Sequence, residues 1–308
     1  MNHYKIADIS IHVIWENEEK RYRNYLYHDC IVLPRNLASF RCEEQSEEPD
    51  MTAWVHELCE FTGSESYKRV HNQAFFERAG KNVMLVFDPY NRNRPGYSLE
   101  MSKDYSRVDY IPHIREYEHY DLQWMMYPFE GRILYRGGFV LHGAAVEFNG
   151  KGIIFTGVSG AGKTTQAHLW QRFRNAIIIN GDCPAIRMEN GIPYLYGTPW
   201  CGTSGESINR RTHLSAVVAV KQGETNSIRE LNGTPAYLAL LANIFHSCFD
   251  KEAVELSIAN LERIVKQIRV YELTCTISEA AVEILERKLI SWDLTEYEAS
   301  CDCNNRRI

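Results

Sequence analysis

The sequence predicts an α/β fold: a domain with a mixed sheet over residues 132–292, preceded by a small α+β or mainly β unit over residues 1–110. Three observations carry that prediction. Residues 1–110 hold short alternating runs, Ile6 to Trp15 and Val83 to Phe87, among polar stretches rich in Arg and Glu, the period of half-buried strands. From about residue 132 the texture changes to apolar β-type runs with closely spaced glycines and then to helical patterns. Two Asn-Gly pairs, Asn149-Gly150 and Asn190-Gly191, each separate two apolar runs and so mark two-residue hairpins.

The elements follow in order. Glu43 to Asp50 is acidic and poor in apolar residues, and Asn91 to Gly96 is built of turn formers, so both read as exposed loops. Residues 111–131 read as a linker. Phe139–Phe148 and Lys151–Thr156 are the arms of the first hairpin; its turn sets Phe148 opposite Lys151 and therefore His142 opposite Gly157. A helix over Thr164–Arg174 follows, then a strand Ala176–Ile179 expected to run parallel to and beside Lys151–Thr156, ending at Asn180-Gly181-Asp182. The second hairpin joins Ala185–Met188 to Ile192–Tyr196 and sets Asp182 level with Pro199. Helices are expected after Thr234-Pro235, after Asp250 and after Ser278, with a strand near Val270–Thr276; Thr, Asp and Ser are apt N-caps, and Pro235 suits a first turn. Residues 293–308 form a polar tail.

Composition narrows the function. The 308 residues suffice for two modest domains, each with a core. With 34 Lys and Arg against 40 Asp and Glu, a net charge of −6, no broad basic surface is implied, and neither nucleic acid nor membrane is an expected partner. The N-terminus lacks a signal-peptide core and apolar stretches such as Ala236–Phe245 are too short to cross a bilayer, so a cytoplasmic location is expected. The nine cysteines are scattered without a C-x-x-C pair, and Cys301 with Cys303 alone cannot complete a tetrahedral metal site, so reduced thiols are expected.

The strongest signal is Gly157-Val158-Ser159-Gly160-Ala161-Gly162-Lys163-Thr164, followed by Thr165, which matches G-x-x-x-x-G-K-[ST] between the apolar run Ile153–Phe155 and a helical segment. Glycines let backbone N–H groups approach phosphate oxygens closely, and the helix dipole adds positive potential. Lys163 is then expected on the β- and γ-phosphates of ATP and the Thr164 hydroxyl on Mg²⁺. A glycine-rich turn holding Lys-Thr by chance arises on the order of once in a hundred such chains; the strand and helix flanks argue against it.

Other candidates surround this loop. Asp182 ends an apolar strand where ligands of open α/β sheets bind, placed to hold Mg²⁺ or to accept the proton of an attacking hydroxyl, against the bland reading of a turn aspartate. His142 reaches the terminal phosphate if the hairpin register holds; otherwise it is a packed strand histidine. Trp200, in Gly197–Gly202, either frames the substrate or anchors the core, and Cys201 reads as a small filler. Of Arg210 and Arg211, adjacent on a strand, at most one can face a second phosphate contact.

The run from His142-Gly143 through Val146, Gly150 and Gly152 to Thr156–Thr164, with Asp182 shortly after, resembles the catalytic domain of HPr kinase/phosphorylase over roughly residues 132–220. The chain also looks like stand-alone relatives, bearing Asn-Gly-Asp and Gly-Thr-Pro-Trp, that accompany peptide-modifying enzymes. The resemblance implies a P-loop kinase domain with a fold related to phosphoenolpyruvate carboxykinase, ATP with Mg²⁺ as donor and a serine hydroxyl as acceptor. It implies Lys163 on the phosphates, Thr164 on the metal, Asp182 as metal ligand or base, and His142 beside the transferred group. The family carries two adjacent aspartates at that strand end, whereas here Gly181 precedes Asp182; its ring-shaped assembly and reverse activity do not carry over, leaving a homo-oligomer open. The expected function is an ATP- and Mg²⁺-dependent kinase acting on a Ser or Thr hydroxyl of a protein or peptide. The alternatives are a small-molecule hydroxyl kinase and a nucleotide-binding regulator without transfer.

Overall fold

The computed structural model describes residues 2–16, 34–43, 48–63, 66–117, 122–245 and 249–290. Part of the acidic stretch Glu43–Asp50 and all of the tail 293–308, with Cys301 and Cys303, lie outside those residues.

The alternating runs of the N-terminal region become strands β1 (Asn2–Ile6), β2 (Ile9–Trp15), β3 (Met51–Val55), β4 (Lys68–Val70), β5 (Gln73–Arg78), β6 (Lys81–Phe87), β7 (Pro95–Met101) and β8 (Arg107–Pro112). They form a mixed sheet in the order β1-β2-β3-β8-β7-β6-β5-β4, in which β2, β3 and β8 are parallel neighbours. Ile9, Ile11 and Val13 of β2 and Met51, Ala53 and Val55 of β3 are buried on one face, the result of their period-two spacing. The short helix α1 (Pro34–Ala38) lies in the connection between β2 and β3.

The stretch expected as a linker folds. Two 3-10 turns, Arg115–Tyr117 and Leu122–Met125, lead into helix α2 (Met126–Tyr135). Trp124, Met125, Phe129 and Ile133 are buried in one cluster with Ile11 and Tyr110 of the first sheet and Val140 and Trp200 of the C-terminal region. Each such apolar side chain is worth roughly 1.5–3 kcal/mol of burial, so the connection is a shared core element.

The C-terminal region supplies β9 (Gly138–Leu141), β10 (Gly143–Phe148), β11 (Lys151–Thr156), β12 (Ile177–Asn180), β13 (Ala185–Glu189), β14 (Ile192–Tyr196), β15 (Arg211–Gln222), β16 (Ser227–Leu231), β17 (Ile244–Phe245) and β18 (Arg269–Cys275). Its helices are α3 (Lys163–Arg174), α4 (Thr234–Leu241), α5 (Lys251–Val265) and α6 over residues 279–290. The sheet runs β12-β10-β11-β15-β14-β13-β9-β17, with β18 beside β15 and β16 beside β18. Both Asn-Gly hairpins form: Asn149 and Gly150, and Asn190 and Gly191, have the positive φ of type I′ turns, with Phe148 opposite Lys151 and Glu189 opposite Ile192. Helices α3 and α6 pack on one face against Ile153, Phe155 and Val218, while α4 and α5 cover the other against Ile154 and Val217, so the central strands are apolar throughout.

One expectation is corrected. β12 is not beside β11; it pairs antiparallel with β10, because the hairpin occupies one side of β11 and the parallel strand β15 the other. Helix α3 therefore crosses β10 and delivers the returning strand beyond it.

Asp250 joins the two sheets. Its Oδ2 accepts from Tyr105 Oη at 2.7 Å and Asn82 Nδ2 at 2.8 Å, both from the first sheet's side, while Oδ1 caps α5 through Ala253 N at 3.2 Å. Asp250→Ala removes the cap and strands the buried Tyr105 hydroxyl, and should lower unfolding stability by about 2–4 kcal/mol. Tyr105→Phe, which keeps the cap, should cost about 1 kcal/mol; denaturant titration of both variants measures the two losses.

Candidate active site

Strands β11, β15 and β18 are parallel, so their carboxyl ends share one edge, and the segment 157–162 leaves β11 there before α3 begins. Gly157 has φ 138° and an added Cβ would stand 3.0 Å from the Val220 carbonyl oxygen; Gly162, the residue before α3, has φ 101°. An L side chain at either position is strained, so the loop's curve depends on both glycines. Gln222, at the end of β15, donates Nε2 to Gly160 O at 2.7 Å and ties the loop's tip to the neighbouring strand. Val158, Ser159 and Gly160 are exposed at the rim, Ala161 is buried, and Thr164 and Thr165 are half-buried in the first turn of α3.

Lys163 is buried, and its Nζ donates to Gly157 O at 3.1 Å and Val158 O at 3.3 Å. Desolvation lowers its pKa, while the charge of Asp182 pulls the other way, so the two groups feel one another across the loop mouth.

The position of Asp182 comes from a longer ladder than the sequence revealed. Residues 138–148 and 177–189 form one antiparallel ribbon: Ala145 pairs with Asn180 and Val140 with Ala185, and between them Gly143 N donates to Asp182 O at 2.8 Å and Leu141 N to Pro184 O at 3.0 Å. His142 and Asp182 therefore meet where this ribbon passes from one part of the sheet to the other. His142 Nε2 lies 3.4 Å from Asp182 Oδ1, and Cys183 donates its Sγ to Oδ2 at 3.3 Å. Burial alone would raise the Asp182 pKa; the hydrogen bonds from His142 and Cys183 and the charges of His142 and Lys163 outweigh it, and the pKa is lowered. The His142 ring packs 5.8 Å from that of Phe245, and its backbone N is held by Asn243 O at 2.8 Å.

Asn180 organises the turn that follows. It is fully buried; Oδ1 accepts from Asp182 N at 2.9 Å and Cys183 N at 2.7 Å, while Nδ2 donates to Thr198 O at 2.9 Å and Trp200 O at 3.1 Å. This side chain locks the Asp182 turn to the Gly197–Gly202 segment. At Gly181 an added Cβ would lie 1.9 Å from Ser204 Oγ and 2.8 Å from Ser204 Cβ, so a side chain there requires Ser204 to move.

Among the described residues no group of three His, Cys, Asp or Glu side chains is arranged to hold a metal ion. The oxygen donors near the loop mouth, the ionised Asp182 carboxylate and the Thr164 hydroxyl, suit Mg²⁺, whose remaining ligands would come from phosphate and water.

The other candidates are not brought together with these. The Trp200 ring is 1% exposed and packs 5.0 Å from Phe129, so it anchors the core. Cys201 Sγ accepts from Asn36 Nδ2 at 3.0 Å. Arg210 is paired with Glu147, and Arg211 with Glu189 at 2.9 Å while stacked 3.8 Å over Tyr194. Both arginines stand at the start of β15, and since Lys151 pairs with His213, that end is opposite to the loop. A groove of about 950 Å³ lined by Glu230, Thr234, Lys266 and Arg269 likewise lies at the amino end of β18, away from the loop.

Sequence reasoning missed Asn180, Cys183 and Glu130. Asn180 carried a signal, an Asx residue two positions before the candidate carboxylate. Glu130 was the lone acid in the apolar run Met125–Gly131. It is 9% exposed, and burial pushes its pKa up to about 8.

No family model matches the chain. No curated protein matches it. Among solved structures it is similar to the Hpr(Ser) kinase/phosphatase from Coxiella burnetii, with 11% identity over 52% of this chain and 98% of that chain and a TM-score of 0.29. That likeness is distant, and no residue role follows from it. Among the described residues no helix is long and apolar enough to cross a membrane.

Two measurements test this geometry. Asn180→Ala leaves the backbone donors and acceptors it serves unsatisfied and should lower stability by about 2–4 kcal/mol in denaturant unfolding. For Glu130 the folded pKa, about 8, lies above the ordinary value of 4.5, so the unfolded chain holds fewer protons between those limits and stability falls as pH rises through them. Glu130→Gln should flatten that slope, a difference on the order of 3–5 kcal/mol between pH 4.5 and 8 in thermal melts.

Proposed function

We propose that the chain is an ATP- and Mg²⁺-dependent kinase that transfers the terminal phosphate to a Ser or Thr hydroxyl of a protein or peptide. The observation that carries this reading is the meeting of Lys163, at a glycine loop opening a helix, with an ionised carboxylate, Asp182, in contact with His142. Backbone N–H groups of the loop and the Lys163 amine bind the β- and γ-phosphates. Thr164, and Asp182 in its alternative role as metal ligand, would hold Mg²⁺, which when bound would supply positive charge against the phosphates.

In transfer, the acceptor oxygen forms a bond to the γ-phosphorus, the bond to the ADP oxygen breaks, and ADP leaves. As base rather than metal ligand, the Asp182 carboxylate would take the hydroxyl proton. A carboxylate of lowered pKa is a weak base, which is sufficient because the transition state for phosphoryl transfer is loose and the proton moves late. His142 steadies that carboxylate and stands beside the incoming phosphoryl group.

Asp182→Asn should retain nucleotide binding while transfer of labelled phosphate from ATP to serine peptides falls about 10²–10⁴-fold. Lys163→Ala should weaken nucleotide binding itself, measured by calorimetry. Unchanged output in Asp182→Asn would instead mark a nucleotide-binding regulator.

A further inference from the structure

The turn that presents Asp182 rests on a wall formed by the 3-10 turn Gly202–Ser204 and the residues after it. Gly202 has φ 59°, and an added Cβ would stand 2.8 Å from Asp182 Oδ2, so its backbone lies directly against that carboxylate. Gly181 N donates to Glu206 O at 2.9 Å, and Asn180 forms an isolated antiparallel bridge with Ser207. A shift of residues 202–207 is therefore passed to Asp182.

The side chain of Glu206 leaves this wall in another direction. Its Oε2 lies 2.8 Å from Nε2 of His168, on α3. His168 stands one helical turn after Thr164, the hydroxyl assigned to Mg²⁺, and on the same side of the helix. It is exposed, between the buried Ala167 and Leu169. One imidazole and one carboxylate thus join the helix that opens at the glycine loop 157–162 to the turn that presents Asp182.

The two side chains are 51% and 30% exposed, and ion pairs in that setting add little to unfolding stability. Placement is far more sensitive, since reacting groups displaced by about 1 Å lose on the order of 10²-fold in rate. A contact that is weak for the fold is still sufficient to fix a distance. Ser204 Oγ stiffens the same wall, accepting from Glu206 N at 3.2 Å and donating to Cys201 O at 2.7 Å.

We propose that His168 and Glu206 are positioning residues: as a clamp they set the spacing between the Asp182 carboxylate and Thr164, and with it the alignment of the acceptor hydroxyl and the terminal phosphate. The proposal rests on the kinase reading for what is aligned; the clamp itself does not.

The test compares the full chain with His168→Ala, Glu206→Ala, the double variant and His168→Gln, whose amide nitrogen can donate to Glu206 from the place of Nε2. Transfer of labelled phosphate to serine peptides is measured at saturating ATP, ADP affinity by calorimetry, melting temperature, and hydrogen exchange over residues 180–182 and 202–207. Each Ala variant should lose about tenfold or more in kcat, and the double variant no more than the worse single one, because the two act as a unit. ADP affinity should stay within about threefold and the melting temperature within about 4 °C, while exchange quickens at those residues. His168→Gln should keep kcat within about threefold of the wild type. Unchanged kcat, unchanged exchange, additive losses in the double variant, a His168→Gln as slow as His168→Ala, or a loss confined to ADP affinity or melting temperature overturns the proposal. A wild type that transfers phosphate to no peptide sinks the kinase reading instead, and exchange then decides the clamp alone: faster in His168→Ala supports it, unchanged overturns it.

Discussion

The antiparallel ribbon formed by residues 138–148 and 177–189 is the constraint on which the rest of the site depends. Its register places Gly143 against Asp182 and Leu141 against Pro184, so the imidazole of His142 and the carboxylate of Asp182 come from adjacent points of one ladder. Backbone hydrogen bonds on either side of the crossing point hold both strands, and a one-residue slip would turn every side chain to the opposite face. The glycine loop 157–162 joins the same frame because β11 is the hairpin partner of β10.

Around that frame, two acids have opposite environments. Asp182 is half-buried but receives donors from His142 and Cys183 and the charge of Lys163, and its pKa is lowered. Glu130 is buried, burial is the cause that acts on it, and its pKa is raised. Desolvation acts on both, and the difference lies in what touches the oxygens. Asn180 makes the first environment possible, because its amide fixes the turn that presents Asp182 and ties it to the segment carrying Trp200.

The N-terminal sheet joins this domain through a common core and through Asp250, which serves the cap of α5 and two donors from the first sheet. Helix α2 is central to that union. It lies between the sheets, and Gly131 lets the Tyr105 ring approach so closely that an added Cβ would stand 2.4 Å from it.

Local chemistry was legible in the sequence wherever the next few residues decide the structure. The two Asn-Gly turns, the glycines of the loop 157–162, the cap at Asp250 and the helix after Lys163 follow from left-handed backbone, short-range hydrogen bonds and apolar period. The α/β class followed from the same patterns. What the sequence could not yield was the order of strands, because β12 could stand beside β11 or beyond β10 with identical local preferences, and only competition for the two edges of β11 decides it. For the same reason Arg210, Arg211 and Trp200 read as site residues until the parallel pairing of β15 set the arginines at the wrong end of the strand and the core enclosed the indole. The exposure of a side chain, and the company an acid keeps at Glu130, belong to distant segments, and those meet only in the folded chain.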